Sequence, residues 1–143
     1  DYYAGYFGYK AVEGIAVIVT LGAIQSNDAV NFSSKTLGKN LQNAGIVRPP
    51  NSAVHHIVAG GAQNASRARA ILQKYGIGFD DAVNGVLLPA NKSVASGTAA
   101  IHSTLHTTAY YDKVNQLLLQ ATTKAEAIDI LGAISESLLK GTF

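Results

Sequence analysis

The sequence predicts an α+β fold that is mostly helical, and three observations lead to this class. The chain has 143 residues, 48% of them hydrophobic and 14% charged, which is enough for one hydrophobic core. Several segments combine helical apolar spacing with helix end signals. Two short runs rich in Val, Ile and Leu in the middle of the chain are typical of strands. The expected order is helices, strand, helix, strand and two helices.

The N-terminal region differs in composition from the rest. Residues 1–10 are rich in Tyr and Gly, and the apolar run at 14–24 is shorter than the roughly 20 residues of a membrane-spanning helix, so a buried helix or strand is favoured. The polar stretch 25–34 is the best candidate boundary. We therefore expect residues 1–35 to be an extension or linker from a larger protein, and residues 36–143 to form the domain. A chain that begins at Asp1 without Met fits a piece of a longer protein.

The first predicted helix spans residues 35–45. Leu37 and Leu41 share one face of it, and Gly45 suits its C-terminal end. The run VHHIV at 54–58 predicts the first strand.

Residues 64–75 predict the second helix, with Asn64 as N-cap and Gly76 as the stop. The apolar run 86–88 predicts the second strand.

The last two predicted helices complete the chain. A long helix is expected to start between residues 98 and 103 and to run to residue 121. A final helix over 123–141 has Thr123 and Glu126 at capping-box spacing, and Gly141 at its end.

The four histidines of the chain fall into two pairs. His55 and His56 are neighbours on a predicted strand, so their rings must point to opposite faces. His102 and His106, in HSTLH, lie four residues apart, and on a predicted helix both would project from one face. This spacing is found in many metal sites. The HExxH pattern of zinc proteases is absent, since no carboxylate lies between the two.

Together the two pairs indicate phosphodiester cleavage. One strand histidine and two helix histidines supply three neutral ligands to a divalent ion and leave coordination positions open. The other strand histidine remains a base with a pKa near neutrality. The alternative is a non-catalytic binding module in which all four histidines hold a structural metal. Two adjacent strand residues point to opposite faces, so His55 and His56 are poorly placed to bind the same ion. The absence of cysteine excludes thiolate chemistry and cysteine-type zinc sites.

The combination resembles a known nuclease superfamily. Residues 52–93 and 102–118 are similar to the ββα-metal nucleases of the HNH/endonuclease VII superfamily. The shared features are HH on a first strand, an asparagine (Asn84) near a second strand, and HxxxH on a following helix. The closest resemblance is to the AHH nucleases, which are toxin domains at the C-termini of bacterial polymorphic toxins, and it covers roughly residues 36–143. Val54 stands where the family motif has Ala, and a helix separates the two strands.

The resemblance implies a role for each residue. His55, His102 and His106 would bind the metal, His56 would activate water, and Asn84 would brace the hairpin or orient the base, although Asn-Gly is also a turn signal. Tyr110 and Tyr111 follow the metal pair, and at least one is expected to pack in the core. The possible phosphate contacts are Arg67, Arg69 and Lys92.

The resemblance implies a metal-dependent, largely sequence-nonspecific DNase that serves as the toxin tip of a secreted or delivered bacterial effector. It would act in the cytoplasm of a target bacterium and would have a cognate immunity protein. The metal is Zn²⁺, Ni²⁺, Co²⁺ or Mg²⁺. An RNase or nicking enzyme of the same fold is the alternative in the same chemistry. A pore-forming toxin using residues 14–24 is another, but it would leave the histidines without a role.

Overall fold

The computed structural model describes residues 32–143 and confirms the α+β class. Its element order is the predicted one, while residues 1–31, including the apolar run 14–24, lie outside the described residues. The predicted boundary after residue 35 stays a prediction. The helices are α1 (Ser34–Asn43), α2 (Ser66–Lys74), α3 (Thr108–Leu118) and α4 (Lys124–Lys140), the strands are β1 (Ser52–His56) and β2 (Gly85–Pro89), and short 3-10 turns lie at Gln63–Ala65, Ala82–Asn84 and His102–Thr104.

The two strands form an antiparallel hairpin whose register places His55 opposite Val86 and His56 opposite Gly85. Because side chains alternate along a strand, His55 shares a face with Val86. His56 lies on the other face together with Val54. The fold thus separates the adjacent histidines, as strand geometry requires.

Helix α1 covers the face of the hairpin that carries His56. Leu37 and Leu41 of α1 are buried against Leu87 of β2. Gly85 makes the close approach possible, since a Cβ at this position would lie 2.6 Å from the Cδ1 atom of Leu37. The result is a small apolar cluster that holds α1 across the hairpin.

The main core lies on the other face of the hairpin. Helices α2, α3 and α4 pack there against Val86 and Leu88 of β2. Each fully buried Leu or Ile contributes about 1.5–3 kcal/mol, so this cluster is the chief source of stability. Its fully buried large side chains include Ile57, Ile71, Leu72, Leu118, Leu131, Ile134 and Leu138.

The predicted ends of α4, at Thr123 and Gly141, are confirmed. Gly141 adopts a left-handed conformation with φ of 74°, and the Thr123 side chain accepts a hydrogen bond from the backbone of Glu126. The Glu126 carboxylate bonds to Thr122 rather than back to Thr123, so the capping box is only half formed. With 17 residues α4 is the longest helix within residues 32–143. No helix in this range could span a membrane.

The predicted N-cap of α2 is wrong. Asn64 lies in a 3-10 turn, and α2 begins after it, at Ser66, without a side-chain cap. The Asn64 side-chain amide donates instead to the hydroxyl of Thr108. The backbone carbonyl oxygen of Asn64 accepts from the side-chain amide of Asn115. Asn64 therefore ties the start of α2 to α3.

The predicted helix through HSTLH is also wrong. His102–Thr104 form a 3-10 turn, and α3 begins only at Thr108, with Thr107 as its N-cap. Hydroxyl side chains explain the late start, because they compete for backbone hydrogen bonds. Thr104 donates its hydroxyl to the carbonyl of Ile101, and Thr107 accepts from the backbone of Tyr110.

Candidate active site

All four histidines line one cleft of about 270 Å³. His55 and His56 come from β1, His102 from the 3-10 turn and His106 from the segment before α3. Tyr110 and Tyr111, at the start of α3, line it as well. The fold therefore brings the two predicted pairs together, although the second pair does not lie on a helix.

His55 is the buried member of the cluster, with 2% of its surface exposed. Its Nε2 atom lies 2.8 Å from the hydroxyl of Tyr110, and its Nδ1 atom lies 3.0 Å from Nδ1 of His102. Burial, followed by the neighbouring imidazoles, lowers the pKa of His55 to about 3. The ring is therefore neutral at neutral pH.

The hydroxyl of Tyr110 determines which nitrogen of His55 carries the proton. This hydroxyl donates to the carbonyl oxygen of Ile57 at 2.8 Å, and a carbonyl can only accept. The Tyr110 oxygen must then accept from Nε2–H of His55. The lone pair of His55 consequently lies on Nδ1, which faces His102.

The same reasoning assigns the ring protons of His102 and His106. His102 donates from Nδ1 to His55, so its Nε2 atom accepts from Nε2–H of His106, 3.3 Å away. Nδ1 of His106 then accepts from the hydroxyl of Tyr111 at 3.4 Å. Burial, together with His106 and His56, lowers the pKa of His102, which favours the neutral ring that this assignment requires.

The donor chemistry of this cluster fits a metal, since three neutral imidazoles suit Zn²⁺, Ni²⁺ and Co²⁺. The tyrosine bond to His55 is the kind of outer contact that orients metal-binding histidines. The present geometry is hydrogen-bonded instead, because His102 uses a different nitrogen toward each neighbour. Within residues 32–143 no group of three or more His, Cys, Asp or Glu side chains is arranged to hold a metal ion as it stands. Coordination would require the His102 ring to turn.

His56 lies on the other face of β1 and pairs with Asp80. Its Nε2 atom lies 2.8 Å from Oδ1 of Asp80, and both side chains are largely buried. The same carboxylate oxygen accepts the backbone N–H of Ser33 at 2.9 Å. The carboxylate accepts from Nε2–H, so the lone pair of His56 lies on Nδ1. The pairing thereby orients Nδ1 as the nitrogen that can accept a proton.

Asp80 is a site residue that sequence reasoning missed. It lies in the loop between α2 and β2, beside Asp81, and the sequence contains no signal that separates these two carboxylates. Asp81 instead accepts the backbone N–H of Gly78. Only the folded chain shows which of them meets His56.

Phe32 forms a rim over the His56 side of the cleft. Its ring contacts His56 edge-on, with 5.9 Å between the ring centroids. It lies directly over Gly60, where a Cβ would come within 2.1 Å of the phenyl ring. The Gly60–Gly61 turn thus leaves room for an aromatic side chain beside the candidate base.

Asn84 is fully buried and joins three segments of the backbone. Its Oδ1 accepts from the N–H of Val58, and its Nδ2 donates to the carbonyl oxygens of Val58 and Phe79. Its own carbonyl accepts the N–H of Ile57. These contacts describe a brace at the end of β1, and Asn84 does not line the cleft.

The three predicted phosphate contacts lie elsewhere. Arg69 is buried, and its Nη1 atom donates to the carbonyl oxygens of Ala59 and Ala62, so it holds the loop that contains Gly60. Arg67 and Lys92 are exposed. None of the three lines the histidine cleft.

Comparison with known protein families produced a match. A model described as a nuclease family of the HNH/ENDO VII superfamily with conserved AHH matches residues 36–138, well over half of the chain. The matched region contains all four histidines together with Asp80 and Asn84. Searches of curated proteins and of solved structures found no match.

Proposed function

The chain belongs to the AHH nuclease family of the HNH/ENDO VII superfamily, and from this membership we propose that it is a metal-dependent, largely sequence-nonspecific endonuclease that hydrolyses DNA. The observation that carries the mechanism is the separation of the adjacent histidines. His55 faces His102 and His106, whereas His56 faces Asp80. One face of β1 would serve the metal and the other would serve the base.

His56 is the proposed general base. Asp80 holds its Nε2–H, so Nδ1 is the nitrogen that takes a proton from the attacking water. His56 lines the cleft, and this placement supports the role. A general base of this kind contributes roughly 10²–10⁴-fold to the rate.

His55, His102 and His106 are the proposed metal ligands. The lone pair on Nδ1 of His55 is already directed into the cluster, and a turn of the His102 ring would direct a second nitrogen toward the same point. A bound divalent ion would stabilise charge on the phosphoryl oxygens and on the leaving oxygen. Imidazole donors favour Zn²⁺, Ni²⁺ or Co²⁺ over Mg²⁺. Asn84 braces the hairpin through hydrogen bonds to Val58 and Phe79, and this supports the strand that carries both histidines.

The proposed biological setting is that of a toxin. By resemblance to the AHH toxins, residues 36–143 would be the C-terminal toxin domain of a longer bacterial effector, and residues 1–35 would be an extension or linker from that chain. The domain would act in the cytoplasm of a target bacterium, and the producing cell would hold a cognate immunity protein. No sequence preference is expected from the cleft itself, since a phosphodiester is common to every nucleotide step.

Plasmid DNA and total RNA test the enzymatic proposal. The wild-type chain should cut DNA with added divalent metal, a chelator should abolish cutting, and His56→Ala should be slower by roughly 10²–10⁴-fold. Intact DNA with every metal tried would overturn the DNase proposal, and cleavage of RNA alone would identify the RNase alternative. A chain that binds metal but cuts neither substrate would be the binding module.

Expression inside bacteria tests the toxin proposal separately. The wild-type chain, produced in the cytoplasm, should stop growth and degrade the chromosome, whereas His56→Ala at the same protein level should be tolerated. Normal growth with an active wild-type enzyme present would reject the toxin setting and leave the nuclease in place.

A further inference from the structure

A second and larger cavity, of about 750 Å³, lies between α1 and the segment that follows it. Three of its lining side chains are cations, and none is acidic. The whole chain carries a net charge of only +2, so this is a local concentration of positive charge. We call it the basic groove; its lining residues are Ser34, Lys35, Gly38, Lys39, Gln42, Gly45, Ile46, Val47, Arg48 and Leu87.

The two lysines of the basic groove are arranged by the helix. Lys35 and Lys39 lie four residues apart on α1, so their side chains project from the same face, and both are exposed. Their inward neighbours, Leu37 and Leu41, are buried against β2. The ammonium groups therefore stand side by side above a fixed helix.

Arg48 completes the set from the other side of the groove. Its Nη2 atom donates to the carbonyl oxygen of Ser52 at 3.0 Å, which fixes the guanidinium. Gly38 lies beside both this guanidinium and Val54 of β1, since a Cβ there would be in ordinary contact with Nη1 of Arg48 at 3.9 Å and in tight contact with Cγ2 of Val54 at 3.2 Å. Like charges grouped in this way repel one another, and an extended anion would relieve that repulsion.

The basic groove adjoins the histidine cleft. Ser34 lines both cavities, and Val54, which lines the cleft, contacts the helix at Gly38 on the groove side. The helix that carries the lysines also begins beside the candidate base, because the backbone N–H of Ser33 bonds to Asp80. A strand whose phosphate lies at His56 can therefore continue past Ser34 along α1.

We propose that the basic groove binds the phosphate backbone of the nucleic-acid strand next to the bond that is cut, through Lys35, Lys39 and Arg48. The inference rests on the proposed nuclease function and adds the surface that holds the substrate. Contacts from point charges to phosphates carry no sequence information, which agrees with a sequence-nonspecific enzyme. The groove adds Lys35, Lys39 and Arg48 to the phosphate contacts that the sequence predicted at Arg67, Arg69 and Lys92, none of which lines it.

Binding of a short labelled DNA duplex, measured in chelator so that nothing is cut, tests the proposal. The variant is Lys35→Gln with Lys39→Gln, which removes two charges from exposed helix positions. The control is Lys74→Gln with Lys124→Gln, which removes two charges from positions that line neither cavity. The groove variant should bind more weakly, and the slope of log affinity against log salt should become shallower by about two. The control should match wild type.

Equal affinity and equal salt slope for the groove variant and the control would overturn the proposal. If the groove variant lost binding to polyglutamate but kept DNA binding, the groove would serve an acidic protein, and the proposal would fail in that way. Parallel plasmid cleavage separates this result from the enzymatic one. A wild-type chain that cuts DNA while the groove variant binds normally refutes the groove alone, whereas a wild-type chain that cuts nothing refutes the nuclease.

Discussion

His56 and Asp80 form a pair whose geometry decides which nitrogen of His56 would act as the proposed base. The carboxylate receives Nε2–H, and it is itself held by the backbone N–H of Ser33. Fixing one nitrogen orients the other, in the way that buried carboxylates orient catalytic histidines elsewhere. The role we propose for Asp80 is therefore one of positioning.

Asp80→Asn should lower kcat by roughly ten- to a hundredfold while leaving DNA affinity unchanged. The amide has nearly the shape of the carboxylate, but it can turn its NH₂ group toward His56. The His56 ring would then carry its proton on Nδ1, the nitrogen proposed to act as the base. Single-turnover cleavage gives the rate, and duplex binding in chelator gives the affinity.

The neighbouring carboxylate provides the matched control. Asp81→Asn removes the same charge one residue away, from a side chain that bonds to Gly78 rather than to His56. It should cut DNA within about twofold of wild type. If Asp80→Asn and Asp81→Asn have equal rates, the pairing of Asp80 with His56 has no catalytic role.

Tyr110→Phe should weaken metal binding by roughly 10–100-fold, because the hydroxyl keeps the proton of His55 on Nε2 and the lone pair on Nδ1. Titration calorimetry with Zn²⁺ or Ni²⁺ measures the change directly. Tyr75→Phe is the control, since its hydroxyl likewise donates to a backbone carbonyl, that of Ala121, away from the histidines. Unchanged metal affinity in Tyr110→Phe would show that His55 is not a ligand through Nδ1.

Side-chain roles were predictable from the sequence only where local geometry dictates them. Neighbouring positions on a strand must diverge, so different partners for His55 and His56 followed from the sequence alone. The identity of those partners did not follow. Asp80 and Tyr110 reach the histidines across sequence separations of 24 and 55 residues, and such contacts depend on the tertiary fold.

At the scale of the elements, the hairpin is held by one buried side chain, that of Asn84. Asn84 supplies three side-chain hydrogen bonds that join the end of β1 to the loop before β2. Because these groups are buried, losing their partner costs about 1–3 kcal/mol each. The sequence left Asn84 either as a brace of the hairpin or as a turn residue, and in the structure its side chain joins the end of β1 to the loop before β2.

Asn84→Ala should destabilise the protein by about 3–5 kcal/mol and should also abolish cleavage. Asn115→Ala is the matched control, because Asn115 is another buried brace, joining α3 to Ala68 and Asn64 rather than to the hairpin. It should lose stability by a comparable amount but retain activity at a temperature where it is folded. Denaturant unfolding and cleavage of the same samples decide the matter. An active, folded Asn84→Ala would contradict the brace.

The segment HSTLH shows why pattern alone mislocated an element. Spacing of i and i+4 predicted one helical face, yet two rings at that spacing also meet across a 3-10 turn, with 4.8 Å between centroids. The hydroxyls of Thr104 and Thr107 bond to the backbone and delay the helix. The predicted proximity of His102 and His106 therefore survives although the predicted helix does not.

At the scale of the whole molecule, the predicted boundary after residue 35 can be tested by truncation. A chain of Met followed by residues 32–143 should match the full chain in Tm and cleavage. A chain of Met followed by 36–143 loses the Ser33 N-cap, worth about 1 kcal/mol, and the N–H that holds Asp80. Its Tm and kcat should both fall. Equal activity of the two truncated chains would place the boundary where the sequence predicted it.

The overall architecture was predictable because its signals are local. Apolar spacing, Gly45, Gly76 and Gly141 mark helices and their ends, and all three glycines adopt positive φ. The packing of α1 across the hairpin was not predictable, because it depends on Leu37 entering the space that Gly85 leaves. That packing is also what creates the basic groove beside the cleft.

The alternation of side chains along β1 limits how the sequence around this site can change in length. Asn84 fixes the position of Val58, two residues after His56. The face to which each β1 side chain points therefore depends on the number of residues between it and Val58. One residue inserted between His56 and Val58 would place His56 where His55 now lies, facing His102, and would move His55 to the position of Val54, beyond the reach of Asp80. Two inserted residues would restore the facing but would shift both rings by about 7 Å along the strand, away from their partners. The number of residues between the histidines and Val58 is therefore fixed by the site, whatever those residues are.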